Sequence, residues 1–325
     1  MDVSIVIPTY NRIFELKKCI NTLLVQKSIK FEIIIIDDAS KDQTANILAK
    51  EFPGLIVIRN SHNLGPAYSR NVGINVAKGN FILFLDSDAV FDNETALQNF
   101  LQFFKTHNNV GSVGGELRAY EKNDTFIFGK KILCSGNSRD QPIINIPGSF
   151  AQCDFLATCC CMIKKETATR VGGFDPYYGF GGEDKDLGFR ITRLGLKNYV
   201  SADCAARHFH SLSGKSVDET FKYHMTRIRF GLKCFSFSRK IVLLFGVFFK
   251  CLFFYAIFPF KVLCYFFLNR PLVKENFLGG WLMLKALLQN LKLYRLTKEC
   301  RTKNHLSQEE IAKYVSYMKS IQAKS

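Results

Sequence analysis

Two carboxylates spaced two apart, Asp86 and Asp88, follow directly on five apolar residues, Phe81-Ile82-Leu83-Phe84-Leu85. An uninterrupted apolar run of that length reads as a strand buried on both faces. Its end sets both acids at the rim of a sheet, where open α/β folds take their ligands. Acids so close repel each other unless a cation lies between them. A divalent metal with oxygen ligands, carrying a diphosphate, is the economical occupant. Two solvated carboxylates at a strand end are the plain alternative. A calcium loop of the EF-hand kind is excluded, because Ala89-Val90-Phe91 offers neither more oxygen ligands nor the required glycine.

Three further clusters bear on this chemistry. Asp37-Asp38-Ala39-Ser40 also ends an apolar run. A carboxylate there can accept from a ribose or a base edge, or Asp38 or Ser40 can cap the helix that follows. Gly179-Phe180-Gly181-Gly182-Glu183-Asp184-Lys185-Asp186-Leu187 lets backbone approach a ligand and opens a helix with acids, which the helix dipole favours. Helical spacing puts Asp184, Leu187, Ile191 and Leu194 on one face, and pairs Asp186 with Arg190 as a surface ion pair. Asp184 then points inward, where partial desolvation raises its pKa and suits it to act as a general base. His208 and His210 follow a strand-like stretch and share one side of it. One of them is the expected imidazole ligand of the metal, and the reading assigns that role to His210.

The elements that must hold these groups alternate in type. Strands are expected at 3–7, 32–36, 55–58 and 81–85. Between them lie a helix with Leu16, Ile20, Leu23 and Leu24 on one side, a helix from about Gln43 to Glu51, and a helix opened by Gly65-Pro66. That rhythm means a parallel sheet covered by helices. The acidic or polar clusters after strands one, two and four should meet along one edge. Beyond about residue 110 the rhythm loosens into a mixed half that completes the sheet.

The totals bound the rest. The 325 residues suffice for one large domain or a domain with an appendage, and 47% hydrophobic content excludes wholesale disorder. The net charge of +16 is uneven: residues 239–325 hold 15 Lys/Arg against 4 Asp/Glu. A basic end favours an anionic surface, and because these charges sit among Phe and Leu runs rather than in an arginine-rich arm, nucleic acid is not the expected partner. The 11 Cys lack paired ligand spacing and read as buried small hydrophobes in a reducing cytosol. Met1-Asp2-Val3-Ser4 has no basic or apolar leader pattern, so the catalytic part is expected to stay in the cytoplasm.

Taken in order, Ile5-Val6-Ile7-Pro8-Thr9-Tyr10-Asn11-Arg12, Asp37-Asp38-Ala39-Ser40, Asn63-Leu64-Gly65-Pro66-Ala67 with Arg70-Asn71, Asp86-Ser87-Asp88, Gly172-Gly173-Phe174-Asp175 and Gly181-Gly182-Glu183-Asp184-Lys185-Asp186-Leu187 resemble a family-2 glycosyltransferase. The resemblance covers about residues 1–215. It implies the GT-A fold, a Rossmann-like mixed α/β sheet, and an inverting transfer from a nucleotide-diphospho-sugar. By the same resemblance Pro8, Thr9, Asn11 and Asp38 lie around the nucleotide and Arg70 near the donor. Asp86 faces the ribose side and, with Asp88, the metal, Mn²⁺ or Mg²⁺. Asp184 is the implied base, and Phe180, Gly181, Gly182 and Glu183 meet the acceptor. The Gly-Gly-Glu-Asp form is similar to that of galactosyl- and N-acetylgalactosaminyl-transferring relatives, which favours a UDP-hexose or UDP-N-acetylhexosamine. Processive relatives carry Gln-x-x-Arg-Trp; the only Trp here, Trp281, lacks the preceding Arg, so one sugar per encounter is expected.

Two domains are expected: a catalytic domain over 1–225 and a membrane-associated helical region with a basic tail over 226–325. Ile241 to Phe258 carries one charge, Lys250, and is long enough to span. Arg239 and Lys240 before it, and Lys261, Arg270 and Lys274 after it, favour keeping both ends cytoplasmic. Helices lying in the inner leaflet are the favoured reading, with a single span as the other. The expected acceptor is then a glycan or a polyprenyl-linked glycan at the cytoplasmic face of the cell membrane. The competing function is a non-catalytic GT-A-like module that binds nucleotide or sugar there.

Overall fold

The protein is described here from a computed structural model, which describes residues 1–119, 125–127, 129–143, 146–178, 181–209, 217–249, 252 and 282–291. Its first half alternates as expected: β1 (Val3–Thr9), α1 (Ile13–Leu24), β2 (Phe31–Asp37), α2 (Thr44–Glu51), β3 (Ile56–Arg59), α3 (Gly65–Val76) and β4 (Phe81–Leu85). There follow β5 (Ala89–Val90), α4 (Ala96–Thr106), β6 (Val110–Ala119), β7 (Thr125–Ile127), β8 (Gly129–Ile132), β9 (Ser138–Gln141), β10 (Phe150–Cys153), β11 (Cys160–Lys164) and α5 (Lys165–Arg170). The remaining labelled elements are α6 (Glu183–Arg193), β12 (Lys197–His208) and α7 (Val217–Cys234).

Among the described residues, one ten-stranded sheet runs β10-β12-β6-β11-β4-β1-β2-β3, with β5 on β12 and β7 on β6; β8 and β9 form a two-stranded sheet. The strands β4, β1, β2 and β3 pair in parallel, and β11 joins them antiparallel to both β4 and β6. Period-two alternation in β1 and β2 serves two cores at once. Val3, Ile5, Ile7, Ile33 and Ile35 pack with Leu16, Ile20, Leu23 and Phe100 from α1 and α4. Val6, Ile34 and Ile36 pack on the other face with Ala67, Ile74, Leu187 and Ile191 from α3 and α6. Burial on both faces is why these strands read as continuous apolar runs.

Some helix-face expectations are corrected. Leu24, at the last residue of α1, is 55% exposed, and Leu194 lies just past the end of α6 at 37%. In both cases the chain leaves the helix before the periodic face can bury. Asp186 is fully buried rather than on the surface; its carboxylate accepts from Arg190 at 2.8 Å and lies beside the Tyr178 hydroxyl at 3.5 Å. Among the described cysteines, Cys19, Cys153, Cys159, Cys160, Cys161 and Cys204 are buried as expected.

The chain divides into two compact units, the first holding Met1–Lys131 and Arg139–Leu212 and the second Ile132–Ser138 and Ser213–Arg301. The expected cut at residue 225 falls inside α7. In the second unit, helices run over 217–234, 237–249 and 282–291. Leu243, Val247, Met283 and Ala286 are buried there, while Phe237, Phe245, Phe248 and Phe249 are more than half exposed. Among the described residues no helix is long and apolar enough to cross a membrane. Of the expected segment from Ile241 to Phe258, residues 250, 251 and 253–258 lie outside the described residues.

One close backbone approach shapes the rim of the sheet. The pairing of β12 with β6 shifts register between Ser201 and Ala206, and the bulged chain brings the Cys204 carbonyl over Gly115. A Cβ at Gly115 would lie 1.7 Å from that oxygen, whereas Gly54 has nothing within 4 Å. Gly115→Ala is therefore expected to lower stability by roughly 1–3 kcal/mol or more. Gly54→Ala is expected to leave it level or raise it by about 0.4–1 kcal/mol. Thermal or urea denaturation of the two variants checks this.

Candidate active site

The order β4-β1-β2-β3 makes the chain reverse direction across the sheet between β1 and β4, and a crevice opens at such a switch. The segments leaving β1 and β4 supply its walls. A cavity of about 460 Å³ lies there, lined by Pro8, Thr9, Tyr10, Arg12, Asp38, Asn63, Pro66, Arg70, Asp86, Ser87, Asp88 and Glu183. Seven of the residues chosen from the sequence thus share one cavity: Pro8, Thr9, Asp38, Arg70, Asp86, Asp88 and Glu183.

Asp88 is buried and answered by two cations. Arg12 Nη1 bonds to its Oδ2, and His208 Nε2 lies 3.1 Å from Oδ1. The antiparallel pairing of β12 with β5 sets His208 opposite Ala89, and Phe209 N–H donates to the Asp88 carbonyl at 3.0 Å. Burial pushes the Asp88 carboxyl upward, but the hydrogen bond and charge of His208, aided by Arg12, outweigh it and hold the group below its ordinary range. Burial works against the His208 imidazolium, and Asp88 outweighs that and raises it. Donor atoms of Asp86, Asp88 and His208 lie within 4.8 Å of one another. Two carboxylates and an imidazole are a donor set that fits Mn²⁺, with open positions left for water or phosphate oxygens. Two guanidinium groups and an imidazole already cluster on these two acids. His208 is the histidine in this cluster; His210 and Phe180 lie outside the described residues.

Arg70 joins the two sides of the cavity. It is 3% exposed, and its Nη2 reaches Asp86 Oδ1 at 2.8 Å while Nη1 reaches Glu183 Oε1 at 3.1 Å. Its neighbour Asn71 exchanges two bonds with the Phe174 backbone, at 2.8 and 2.7 Å, and so ties α3 to the Gly172-Gly173 turn. Gly181 and Gly182 both take positive φ, 98° and 91°. Only glycine does this without strain, and the paired turn delivers Glu183 as the first residue of α6. Burial and the neighbouring Asp184 charge raise Glu183 to about 7 against the pull of Arg70. Glu183 Oε2 and Arg70 Nε are buried with no hydrogen-bond partner. Half-buried Asp184 is also raised by desolvation, opposed by the Lys185 N–H that it accepts at 2.6 Å.

Asp38 does cap a helix, though α3 rather than the expected α2. Its carboxylate accepts from Leu64 N–H at 3.0 Å, Gly65 N–H at 2.8 Å and Asn60 Nδ2 at 2.7 Å. Burial raises it against those three bonds. Asn11, at φ 52°, turns toward the β2 loop: its N–H donates to Ser40 Oγ at 2.9 Å and its Oδ1 accepts from Lys41 N–H at 2.7 Å. Thr9 Oγ1 is buried without a partner. Arg12 is the residue that the site assignment from sequence missed, while His208 is one of the two histidines that it offered as the imidazole. Position alone pointed to Arg12, which directly follows Asn11 at the same rim.

Comparison with known proteins places the chain in a family and a fold. Residues 4–172 match the family model described as glycosyl transferase family 2, and residues 151–214 match one described as the N-terminal domain of galactosyltransferase. The UDP-Glc:alpha-D-GlcNAc-diphosphoundecaprenol beta-1,3-glucosyltransferase WfaP of Escherichia coli is 28% identical over 259 residues, covering 78% of this chain and 92% of that protein. An uncharacterized glycosyltransferase of Haemophilus influenzae is 36% identical over 126 residues, and the match spans 39% of this chain and 42% of that relative. Among solved structures, GalNAc-T7 with UDP, GalNAc and Mn²⁺ superposes with a TM-score of 0.56 at 18% identity, covering 70% of this chain and 47% of that one. Staphylococcus aureus TarS 1–349 gives 0.54 at 21% identity, covering 94% and 88%. The structural likeness establishes the GT-A fold, and with over half of its length matched by the family model, the chain belongs to glycosyl transferase family 2.

Proposed function

We propose that this glycosyltransferase is inverting and metal-dependent, and moves one hexose or N-acetylhexosamine from a UDP-sugar to a hydroxyl of a glycan or polyprenyl-linked glycan. The observation that carries the reading is the convergence, in one cavity, of the Asp86-Asp88-His208 donor set with the Arg70-Glu183 pair. A relative named for transfer from UDP-Glc to a diphosphoundecaprenol-linked sugar supports the donor and acceptor classes. A UDP complex of TarS is a further structural neighbour, at 22% identity. Asp86, Asp88 and His208 would hold Mn²⁺ or Mg²⁺, which when bound neutralises the charge that develops on a departing nucleoside diphosphate.

The chain's own residues divide the remaining work. Pro8, Thr9 and Asp38 wall the nucleotide side, where Thr9 brings an unpartnered hydroxyl. Arg70 keeps Asp86 and Glu183 at fixed separation. Asp184 takes the proton from the acceptor hydroxyl; a base raised toward working pH transfers protons most efficiently. Glu183 offers its unpartnered Oε2 to the acceptor. The exposed Phe237, Phe245, Phe248 and Phe249, beside Arg239 and Lys240, support peripheral attachment at the cytoplasmic face of the membrane.

The two carboxylates should fail differently. Asp88→Ala is expected to abolish Mn²⁺-dependent UDP binding together with transfer. Asp184→Asn is expected to leave UDP affinity within about twofold and to cut turnover by roughly 10²–10⁴. Calorimetry with UDP and a radiolabelled UDP-sugar transfer assay separate the two; normal turnover by Asp184→Asn would remove it as the base.

Stability should also carry the mark of Glu183. Its carboxyl is raised from 4.5 to about 7 in the fold, so the native state keeps a proton that the unfolded chain releases. That contribution is complete below about pH 4.5 and is lost as pH rises to about 7. Glu183→Gln, which stays neutral, should gain melting temperature relative to the wild type across this window and hold the gain above it. Parallel melts in EDTA from pH 4.5 to 8 measure the difference; a pH-independent difference would mean that Glu183 is not raised.

A further inference from the structure

Among the three cations on the acidic pair, Arg12 is the one with room to move. Arg70 and His208 have side chains 4% and 12% exposed, while that of Arg12 is 42% exposed. The Arg12 backbone, by contrast, is pinned. Asn11 is clamped to Ser40 and Lys41, and the Arg12 carbonyl accepts the Leu16 N–H at 3.0 Å to start α1. Only the side chain can swing, and it does so inside the cavity that it lines beside Pro8, Thr9 and Tyr10.

Both Asp88 oxygens are taken, one by Arg12 and one by His208. A divalent ion drawn to that carboxylate competes with both partners; His208 is itself a donor for the ion, and the exposed guanidinium is the cheaper contact to displace. Charge balance then says where it goes. Asp86, Asp88 and Glu183 face Arg70, Arg12 and His208. A divalent ion arriving with the diphosphate of a nucleotide sugar adds two positive and two negative charges, so withdrawal of Arg12 from the cavity would leave it one charge more negative than before. A freed guanidinium at the mouth of such a cavity has a planar fork of donors suited to phosphate oxygens.

We propose that Arg12 is a donor-diphosphate ligand kept in reserve on Asp88: it closes the metal position at rest and turns to the diphosphate when Asp88 takes up a divalent ion. The proposal rests on the metal-dependent reading above and adds to it a second binding partner for one residue. It makes Arg12 oppose metal binding and favour nucleotide binding, two effects of opposite sign from one side chain.

The test is equilibrium binding to the full chain. Free Mn²⁺ is followed by electron paramagnetic resonance, and UDP at saturating Mn²⁺ by calorimetry, with uridine as the probe that lacks the diphosphate. Arg12→Ala is expected to bind Mn²⁺ alone up to about fivefold more tightly. It should bind UDP about tenfold or more weakly, with uridine unchanged. Arg12→Gln, which keeps most of the aliphatic stem, should reproduce both shifts, and Arg12→Lys should restore the Mn²⁺ competition but only part of the UDP affinity. Weakening of both ligands by Arg12→Ala and Arg12→Gln would mark a merely structural arginine, and unchanged UDP affinity would overturn the phosphate role. A wild-type protein that takes up no Mn²⁺ would instead overturn the metal-dependent reading, and the reserve role with it.

Discussion

A buried guanidinium governs this site. Arg70 sits on α3 with almost no contact with solvent, and an uncompensated charge in that position costs several kcal/mol. Two carboxyl groups from distant parts of the chain meet it: Asp86 at the end of β4, and Glu183 at the start of α6, 113 residues further along than Arg70. Neither acid can move far without stranding the arginine. The Asn71 bonds to Phe174 and the Phe174 ring, 5.5 Å beneath the guanidinium, hold the same corner from below. The acid at the end of β4 and the acid at the start of α6 are therefore tied together by electrostatics rather than by a rigid backbone connection.

That arrangement sorts the carboxylates by role. Asp88 keeps its charge because His208 and Arg12 outweigh its burial, and a charged oxygen donor is what a divalent ion needs. Glu183 and Asp184, one residue apart and desolvated, move the other way. The site thus carries acids of two kinds, Asp88 held charged and Glu183 and Asp184 raised. Environments that push neighbouring carboxylates apart in pKa are how one fold supports both electrostatic and proton-transfer chemistry.

The parts of this legible in the sequence are those decided locally or by two-sided burial. Val3–Ile7, Glu32–Ile36 and Phe81–Leu85 announce a parallel sheet because helices cover both faces, and the acids after them fall on its edge for the same reason. The misjudged positions depend on partners far away in the chain. Asp186 and Arg190 have the spacing of a surface pair, yet Tyr178 and the Val171 carbonyl close over them. Alternation along β12 could not choose between His208 and His210; pairing with β5, more than a hundred residues earlier, brings His208 to Asp88. Asp38 reads as a cap for the next helix, but β3 intervenes and brings the start of α3 to it instead.

The two halves of the cavity differ in how they are built. The side holding Asp86 and Asp88 uses consecutive βα units whose strand ends lie side by side: Thr9 is in register with Asp37, and Val6 with Phe84. The side holding Glu183 depends on the turn that opens α6, made by two glycines at positive φ. Since the turn that carries Glu183 is not fixed to the ends of β1 and β4 by adjacent strands, Arg70 makes the link, holding Asp86 and Glu183 with one buried guanidinium.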